Sequence, residues 1–550
     1  MKSRTHSILA KWFLLAAMVA GFTPSNLAAD EPVEAPLPPS AADVNALAAR
    51  IDRHITARWA DENVSPAERV DDAGFLRRVS LDIAGRIPTV SEVREFLADR
   101  APDKRRRAVD RLLEGNGYVN HFTTYWRRVM LPEANTSFQA RCMVPGFEAW
   151  LRAQLKKNAR YDDIVRDVIT VPMTGAGNIY SFQNGGQLTP LAFFQAKQNK
   201  PEDVGAATAR IFLGVRLECA QCHDHPFDAW QREQFWSFAA FYAPVKPQSQ
   251  QPSGVVGLLS SLFGGKKAAP KGLRIPDTET YVTPAFLDNG EQAGGGDARQ
   301  TLAVWMVSPQ NPYFARTLVN RMWAHLFGIG LVNPVDDFGS SNQPSHPQLL
   351  DELARDFAAN DFDLKYLIRA ITASRTYQLS SSVGHPSQTD NPRLFARMAV
   401  KGLSSEQLFD SLAQATGYRE PNRNQRQFAF NSNSPRTKFL ELFNSDNDKP
   451  VERETTILPA LAMMNGQLVT NATNLNRSRT LAAVAEYPLM TTAERIEALY
   501  FAALSRPPRV EETARLVKYV ESHAKTPDRR RALGDVFWAL LNSSEFMLNH

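Results

Sequence analysis

Apolar residues recur at the spacing of an α-helix through most of the chain. The first such helical face is formed by Val44, Leu47, Ala48, Ile51 and Ile55. Further apolar stripes lie at 93–97, 109–113, 403–412, 496–504 and 536–546. A spacing of three to four residues places these side chains on one side of a helix, where they can be buried together. The pattern predicts a mainly α fold.

The helical pattern is interrupted between about 246 and 298. This segment is rich in glycine, proline and polar residues, which favour turns and linkers. A few short strands are expected within it, for example at 280–282. We therefore predict two helical domains, at 42–245 and 299–550, joined by this Gly/Pro-rich segment. A chain of 550 residues is long enough for such a division.

The N-terminal segment has the order of a secretory signal. Three basic residues precede an apolar run at 12–22, and the small residues Ala28 and Ala29 follow it. The run is shorter than the roughly 20 residues that a membrane-spanning helix needs. We predict a cleaved signal at 1–29 and a Pro-rich linker at 30–41. The mature protein is then expected to be periplasmic or secreted and not to span the membrane.

The overall composition is that of a soluble globular protein, with 43% hydrophobic and 22% charged residues. Removal of residues 1–29 takes away three basic residues and no acidic one, so the net charge falls from +5 to +2. This charge is too small to indicate a nucleic-acid partner. The basic runs at 104–107 and 529–531 are interpreted as solvated helix faces.

The chain has three cysteines, Cys142, Cys219 and Cys222, which is too few for a disulfide framework in an exported protein of this size. The close pair is followed at once by His223. Covalent attachment of haem c needs two thiols on one side and an adjacent histidine as iron ligand, in this order. The aromatic residues within 230–241 are compatible with either a haem-facing wall or core packing. The motif predicts thioether anchors at both cysteines and an iron ligand at His223.

The same residues are compatible with other kinds of site. His223, His225 and Asp224 supply nitrogen and oxygen donors for a divalent metal ion. Cys219 and Cys222 also have the spacing of a redox dithiol or of a small disulfide in a structural turn. The sequence does not choose among these alternatives, and haem c is the leading hypothesis.

A second candidate site lies in the strip that runs from 320 to 339. The adjacent carboxylates Asp336 and Asp337 follow Arg321 and His325 closely enough to suggest an acid/base or metal site. The alternative is a helix end with glycine turns, in which Arg321 forms a buried ion pair.

The tetrapeptide Ser345-His346-Pro347-Gln348 predicts the beginning of a helix. Ser345 is expected to cap it in a capping box with Gln348, and Pro347 fits the first turn. His346 is then interpreted as a residue of the helix start and not as a metal ligand.

These motifs together resemble a known family, the planctomycete cytochrome-associated proteins with a PSCyt-type domain followed by a PSD-type domain. The resemblance extends nearly end to end and rests on residues 75–89, 213–241, 320–347, 506–508 and 538–543. It implies a secreted, mostly helical protein of two domains, often encoded with a cytochrome c domain. It supplies no established reaction, because the domains themselves are of unknown function.

Three functional hypotheses follow, and the sequence leaves open whether the protein is an enzyme. The first is a haem or redox protein whose partner is an envelope redox protein or cytochrome. The second is a non-haem envelope enzyme that is metal-dependent or hydrolytic. The third is an interaction scaffold in an envelope complex.

Overall fold

The structure is a computed structural model of the whole chain. It describes residues 41–173, 189–243, 272–294, 296–382, 391–419, 434–443, 469–470, 474–475, 477–523 and 526–550. The predicted signal at 1–29, and the linker up to residue 40, lie outside these residues.

The prediction of a mainly α fold is confirmed. The helices of the first half are Ala41–Asp61, Asp72–Val79, Val90–Ala98, Lys104–Glu114, Asn116–Met130, Phe138–Lys156, Tyr161–Thr170, Ala192–Ala196, Pro201–Leu213 and Arg232–Ala239. Those of the second half are Ala298–Met306, Phe314–Phe327, Pro347–Ala359, Leu364–Ala373, Ser405–Thr416, Pro435–Phe443, Arg479–Glu486, Thr492–Leu504, Val510–Glu521, Thr526–Leu541 and Ser544–Met547. Short 3₁₀ turns lie at Pro132–Asn135, Glu218–Gln221, Ala240–Tyr242 and Pro392–Leu394, and a π turn lies at Ser80–Ala84.

Two small antiparallel sheets accompany the helices. Leu273–Arg274 pairs with Tyr281–Val282, so that Leu273 lies opposite Val282. This pair agrees with the short strand predicted at 280–282. The second sheet joins Lys401–Gly402 to Leu548–Asn549. Its two strands are nearly 150 residues apart in the sequence, and each is too short to leave a pattern of alternating residues.

The helix predicted after Ser345 begins one residue later than expected. Pro347 is the first helical residue, and the capping position is held by His346, whose side chain makes no capping hydrogen bond. The predicted capping box between Ser345 and Gln348 is therefore wrong. Ser345 instead contacts the imidazole Nδ1 of His346 through its hydroxyl, at 3.0 Å.

The basic run at 104–107 is neutralised by nearby carboxylates on the protein itself. Lys104 and Arg105 both pair with Asp72, at 2.6 and 2.9 Å. The next two arginines pair with aspartates of the same region, Arg106 with Asp103 and Arg107 with Asp99.

No helix in the described part of the chain is both long and apolar enough to cross a bilayer.

The apolar core is continuous across the interruption at 246–298. Residues 41–550 form one compact unit. The larger group of buried side chains extends from Val44 to Met398, with Phe501 added to it. A second group combines Leu81 and Ile87 with buried side chains between 408 and 546. Both predicted domains therefore contribute buried side chains to the same two cores. The domain boundaries at 245 and 299 stay a prediction.

A buried ionic network joins the early and late parts of the chain. Asp82 lies on the π turn Ser80–Ala84 and is only 2% exposed. Its Oδ1 is 2.6 Å from Nζ of Lys401 and accepts a hydrogen bond from Asn549. Its Oδ2 accepts one from the hydroxyl of Tyr377 at 2.7 Å. A buried carboxylate is stable only when it is paired and hydrogen-bonded in this way.

The two arginines before this turn bind main-chain carbonyl groups of the late segment. Arg77 donates to the carbonyl oxygens of Ala503 and Phe546, at 3.1 and 2.9 Å. Arg78 donates to that of Tyr377 at 2.5 Å. Both guanidinium groups are buried, and burial lowers the pKa of each below its ordinary value. The segment 77–82 thus has a structural role, because its buried charges bind the later part of the chain.

Substitution Lys401→Met should lower the free energy of unfolding by about 3–5 kcal/mol, because it leaves the buried Asp82 carboxylate without its cation. Urea unfolding measures the change. The matched control is Arg58→Met, which removes the exposed i,i+4 pair with Glu62 and should cost less than about 0.5 kcal/mol. Equal losses in the two variants would contradict a network that holds the core.

A second ion cluster joins helix Asn116–Met130 to helix Ser405–Thr416. Glu406 lies 3.1 Å from Arg128 and 3.5 Å from Arg127, and its side chain is largely buried. Burial by itself would raise the pKa of Glu406, but the two guanidinium groups lower it to about 2. The folded state therefore keeps this carboxylate ionised at a pH where the unfolded chain protonates it.

Because the pKa of Glu406 is lowered on folding, its stabilising effect is complete above the unfolded pKa of about 4.5 and is lost as the pH falls toward 2. The difference in unfolding free energy between wild type and Glu406→Gln should be largest near pH 7 and clearly smaller at pH 3. Urea titrations at both values measure it. For the exposed Glu62→Gln, the difference should stay small throughout, and a pH-independent difference for Glu406→Gln would refute the assignment.

Candidate functional site

The cysteine motif lies on a turn that is fixed at its beginning by a glycine. Helix Pro201–Leu213 ends at Gly214, which has a left-handed backbone with φ of 68°. Glycine adopts this conformation without a steric penalty, so it ends helices of this kind. Val215 and Leu217 then enter the core, and the 3₁₀ turn Glu218–Gln221 follows.

The two cysteines of the motif are exposed at the 3₁₀ turn. Cys219 and Cys222 are exposed and free, whereas Ala220 between them is fully buried. A 3₁₀ turn has three residues per turn, so side chains three positions apart lie above one another. Cys219 lies within this turn and Cys222 directly follows it, so both exposed cysteines belong to one short segment.

His223 is held in one tautomer by its own main chain. Its Nδ1 lies 2.7 Å from the carbonyl oxygen of Asp224. A carbonyl oxygen can only accept, so Nδ1 carries the proton and Nε2 keeps a free lone pair. This is the arrangement in which histidine binds metal ions, with the other ring nitrogen donating to a carbonyl group. His223 itself is exposed.

His225 and Asp224 are hydrogen-bonded within the turn. Nδ1 of His225 accepts from the amide of Phe227 at 3.2 Å, so its proton lies on Nε2. One carboxylate oxygen of Asp224 accepts from the amide of Arg232 at 2.9 Å. In the part of the chain that the structure describes, no three His, Cys, Asp or Glu side chains are grouped so as to hold a metal ion. The two histidines, which are two positions apart in the sequence, have opposite tautomers.

The aromatic residues after the motif pack in the core and support the turn. Phe235, Trp236 and Phe238 are buried. The indole N–H of Trp236 donates to the carbonyl oxygen of Gln221 at 3.0 Å. Phe227 is the exception, because 82% of it is exposed beside the motif. Trp236 thus holds the main chain of the turn through this hydrogen bond. The sequence alone did not predict this role.

The second candidate strip forms a loop that one buried asparagine organises. Asn320 lies on helix Phe314–Phe327, and its amide donates to the carbonyl oxygens of Val332 and Val335, at 2.9 and 3.0 Å. Its side-chain oxygen accepts from the amide of Val332 at 2.9 Å. These bonds fix where the loop that carries Asp336 leaves the helix.

Asp336 is an ion-pair anchor in this structure. Its carboxylate lies 2.8 Å from Arg216 and 3.5 Å from Arg210. Burial would raise the pKa of Asp336, but the charges of Arg321, Arg216 and Arg210 hold it below its ordinary value. Arg210 also pairs with Glu218, the residue before Cys219, at 3.2 Å. A carboxylate paired in this way is a poor general acid.

The other residues of this strip do not assemble around Asp336. His325 is turned toward the early segment, with Nε2 2.8 Å from the carbonyl oxygen of Asp82. Arg321 donates to the carbonyl oxygen of Ile211 at 3.4 Å and acts on Asp336 only through its charge. Among the described ion pairs, Arg321 forms none, and Asp336 pairs instead with Arg216 and Arg210, which the sequence did not single out.

The loop and the cysteine turn lie against each other, which brings the two candidate strips together. The amide of Phe338 donates to the carbonyl oxygen of Gly214 at 2.8 Å. The hydroxyl of Ser340 donates to Asp228 at 3.0 Å. The loop thus contacts the chain both before and after Cys219. A single sequence gives no signal for contacts between residues more than 100 positions apart.

Two family models match the chain one after the other. PSCyt2, a protein of unknown function (DUF1549), matches residues 50–247. PSD1, a protein of unknown function (DUF1553), matches residues 298–520. The chain belongs to this two-domain PSCyt–PSD family. The resemblance inferred from the motifs is confirmed.

In this PSCyt–PSD protein, the cysteine turn belongs to the PSCyt2 stretch and Asp336 to the PSD1 stretch. The contacts between them therefore cross from one family domain to the other. No curated protein and no solved structure is significantly similar to the chain.

Substitution Gly214→Ala should destabilise the protein and loosen the loop from the turn. The new methyl group would lie 2.6 Å from the ring of Phe338 and 2.7 Å from the hydroxyl of Thr317. The matched control is Gly290→Ala, whose φ of 67° is almost the same but whose surroundings are open. Urea unfolding should show about 1 kcal/mol lost in the control, for the backbone alone, and about 1–3 kcal/mol more in Gly214→Ala. Equal losses would exclude tight packing at this contact.

Proposed function

We propose that the protein is an exported redox protein that carries a covalently attached haem c on the turn at 219–223. The observation that supports this best is the arrangement of the three side chains. Cys219 is exposed in a short 3₁₀ turn, Cys222 is exposed directly after it, and the next residue, His223, has Nε2 available. These are the groups that a c-type attachment site requires.

The donor set fits haem better than it fits a bare divalent ion. A zinc site normally takes four ligands, and the nearest further donors, His225 and Asp224, are hydrogen-bonded within the turn. Haem c needs a single imidazole from this segment, because the two thioether bonds hold the macrocycle. His223 supplies that imidazole with its second nitrogen already satisfied.

The chain contributes orientation and charge to this function. Haem, when bound, supplies one-electron chemistry. Trp236 and Arg232 hold the carbonyl oxygen of Gln221, and the 2.7 Å bond to Asp224 sets the direction of the His223 ring. An exposed attachment turn allows a redox partner to approach closely, and an envelope cytochrome is the class of partner that this proposal favours.

Export is part of the proposal, because haem c is attached outside the cytoplasm. The predicted signal at 1–29 would direct the chain there. When the full chain is expressed in a bacterium with a haem-attachment system, the mature protein should be periplasmic or secreted and begin at Asp30. N-terminal sequencing of the fractionated protein tests this. An uncleaved, cytoplasmic protein would contradict it.

The full chain produced with a haem-attachment system should contain about one covalent haem per molecule. Absorption spectra should show a Soret band, and haem staining should survive a denaturing gel. The double variant Cys219→Ser/Cys222→Ser should lose covalent haem, and His223→Ala should lose the iron ligand and the native spectrum. The matched control is Cys142→Ser, which removes the cysteine outside the motif and should leave haem content unchanged.

The same preparation separates the rival functions. A colourless wild-type protein would overturn the haem proposal. Stoichiometric zinc, calcium or manganese without haem would support the metal-dependent enzyme that uses His223, His225 and Asp224. A protein with neither group, whose function in the cell survives Cys222→Ser, would support the interaction scaffold.

A further inference from the structure

A short loop of the PSD1 stretch borders the cysteine turn on both sides. Before the turn, Asp336 pairs with Arg216 at 2.8 Å. After the turn, Ser340 donates to Asp228 at 3.0 Å. The loop residues 336–340 therefore contact the chain both before and after the motif. This contact joins two stretches that the family models treat as separate domains.

We infer that Asp336 is a positioning residue of the haem site, which sets its local charge from the PSD1 stretch and thereby its reduction potential. This inference rests on the proposed haem function. It goes beyond that function because it gives the PSD1 stretch a part in the redox site. It also predicts that the PSCyt2 stretch alone would have a different potential from the whole chain.

The charges around Asp336 support this role. Three cations act on it, namely Arg210, Arg216 and Arg321. Arg210 also forms an ion pair with Glu218, the residue directly before Cys219. The Asp336 side chain is 15% exposed, so solvent screens its charge incompletely. Its two ion pairs keep the carboxylate ionised, against the effect of burial, and hold it beside the turn.

Loss of this one anion would change the balance of charge next to the motif. Without it, Arg210 would keep only its pair with Glu218 among the described ion pairs, and Arg216 would have no ion pair but would still feel the charges of Asp337 and Glu218. Oxidised haem carries one more positive charge than reduced haem, so a nearby anion favours the oxidised form. Removal of the anion should favour the reduced form, and removal of a cation should do the opposite.

The test is a potentiometric titration of the haem-containing full chain. The ferric iron takes up one electron from a mediator, which is oxidised in turn, and the haem spectrum reports the ratio of the two forms. Asp336→Asn should shift the equilibrium about tenfold toward reduced haem, which is a more positive potential. Arg216→Gln should shift it in the other direction. A merely structural loosening of the loop would move both variants the same way.

Two further variants serve as controls. Asp336→Glu keeps the charge and should stay near the wild-type potential. Asp351→Asn removes one exposed carboxylate, whose ion pair at 2.6 Å is with Arg316 and not with Arg210 or Arg216, and should leave the potential unchanged. If Asp336→Asn does not fold, Arg216→Gln with Asp336→Glu still tests the sign of the charge effect.

The outcomes separate this inference from the proposed function. Opposite shifts in Asp336→Asn and Arg216→Gln, with an unchanged Asp351→Asn, would support it. Covalent haem with the same potential in all variants, or with shifts of the same sign, would overturn this inference alone. A wild-type chain that binds no covalent haem would overturn both proposals together.

Discussion

The carboxylate of Asp82 is held inside the apolar core, and much of the described architecture follows from the need to pair it. Lys401 supplies the cation, and Tyr377 and Asn549 supply hydrogen bonds to the remaining lone pairs. These partners come from the later half of the chain, so the charge can be satisfied only when the early and late segments are assembled. Removal of one partner from a buried pair costs far more than removal of an exposed one. The network therefore makes the two family stretches depend on each other for stability.

One helix contacts both the ionic network and the candidate site. On helix Phe314–Phe327, His325 lies against the main chain of Asp82, and Asn320 fixes the start of the loop at 332–335. The same helix packs on Pro201–Leu213, the helix that leads to the cysteine turn. The ionic network and the site thus share a rigid element. The loop reaches the turn because that helix is held in place.

Within the site, hydrogen bonds give similar residues different roles. His223 and His225 are two positions apart, yet one donates from Nδ1 and the other accepts there. The first keeps Nε2 as a free ligand atom, whereas the second closes the turn. Asp336, read from the sequence as a candidate acid or metal ligand, is neutralised by arginines. Each difference comes from a main-chain group or a charge whose position the local sequence does not specify.

The sequence by itself determined the mainly α fold, the family and the position of the cysteine motif. These depend on local spacing: apolar residues three to four positions apart, or two thiols followed by a histidine. Helix boundaries were less certain, because the first helical residue after Ser345 was displaced by one position. Only the tertiary structure decided that Asp82 pairs with Lys401, that His325 lies beside Asp82, and that the loop of Asp336 contacts the chain on both sides of the cysteine turn. Such contacts join residues that are far apart along the chain, and their free energy depends on burial and charge after the core has formed.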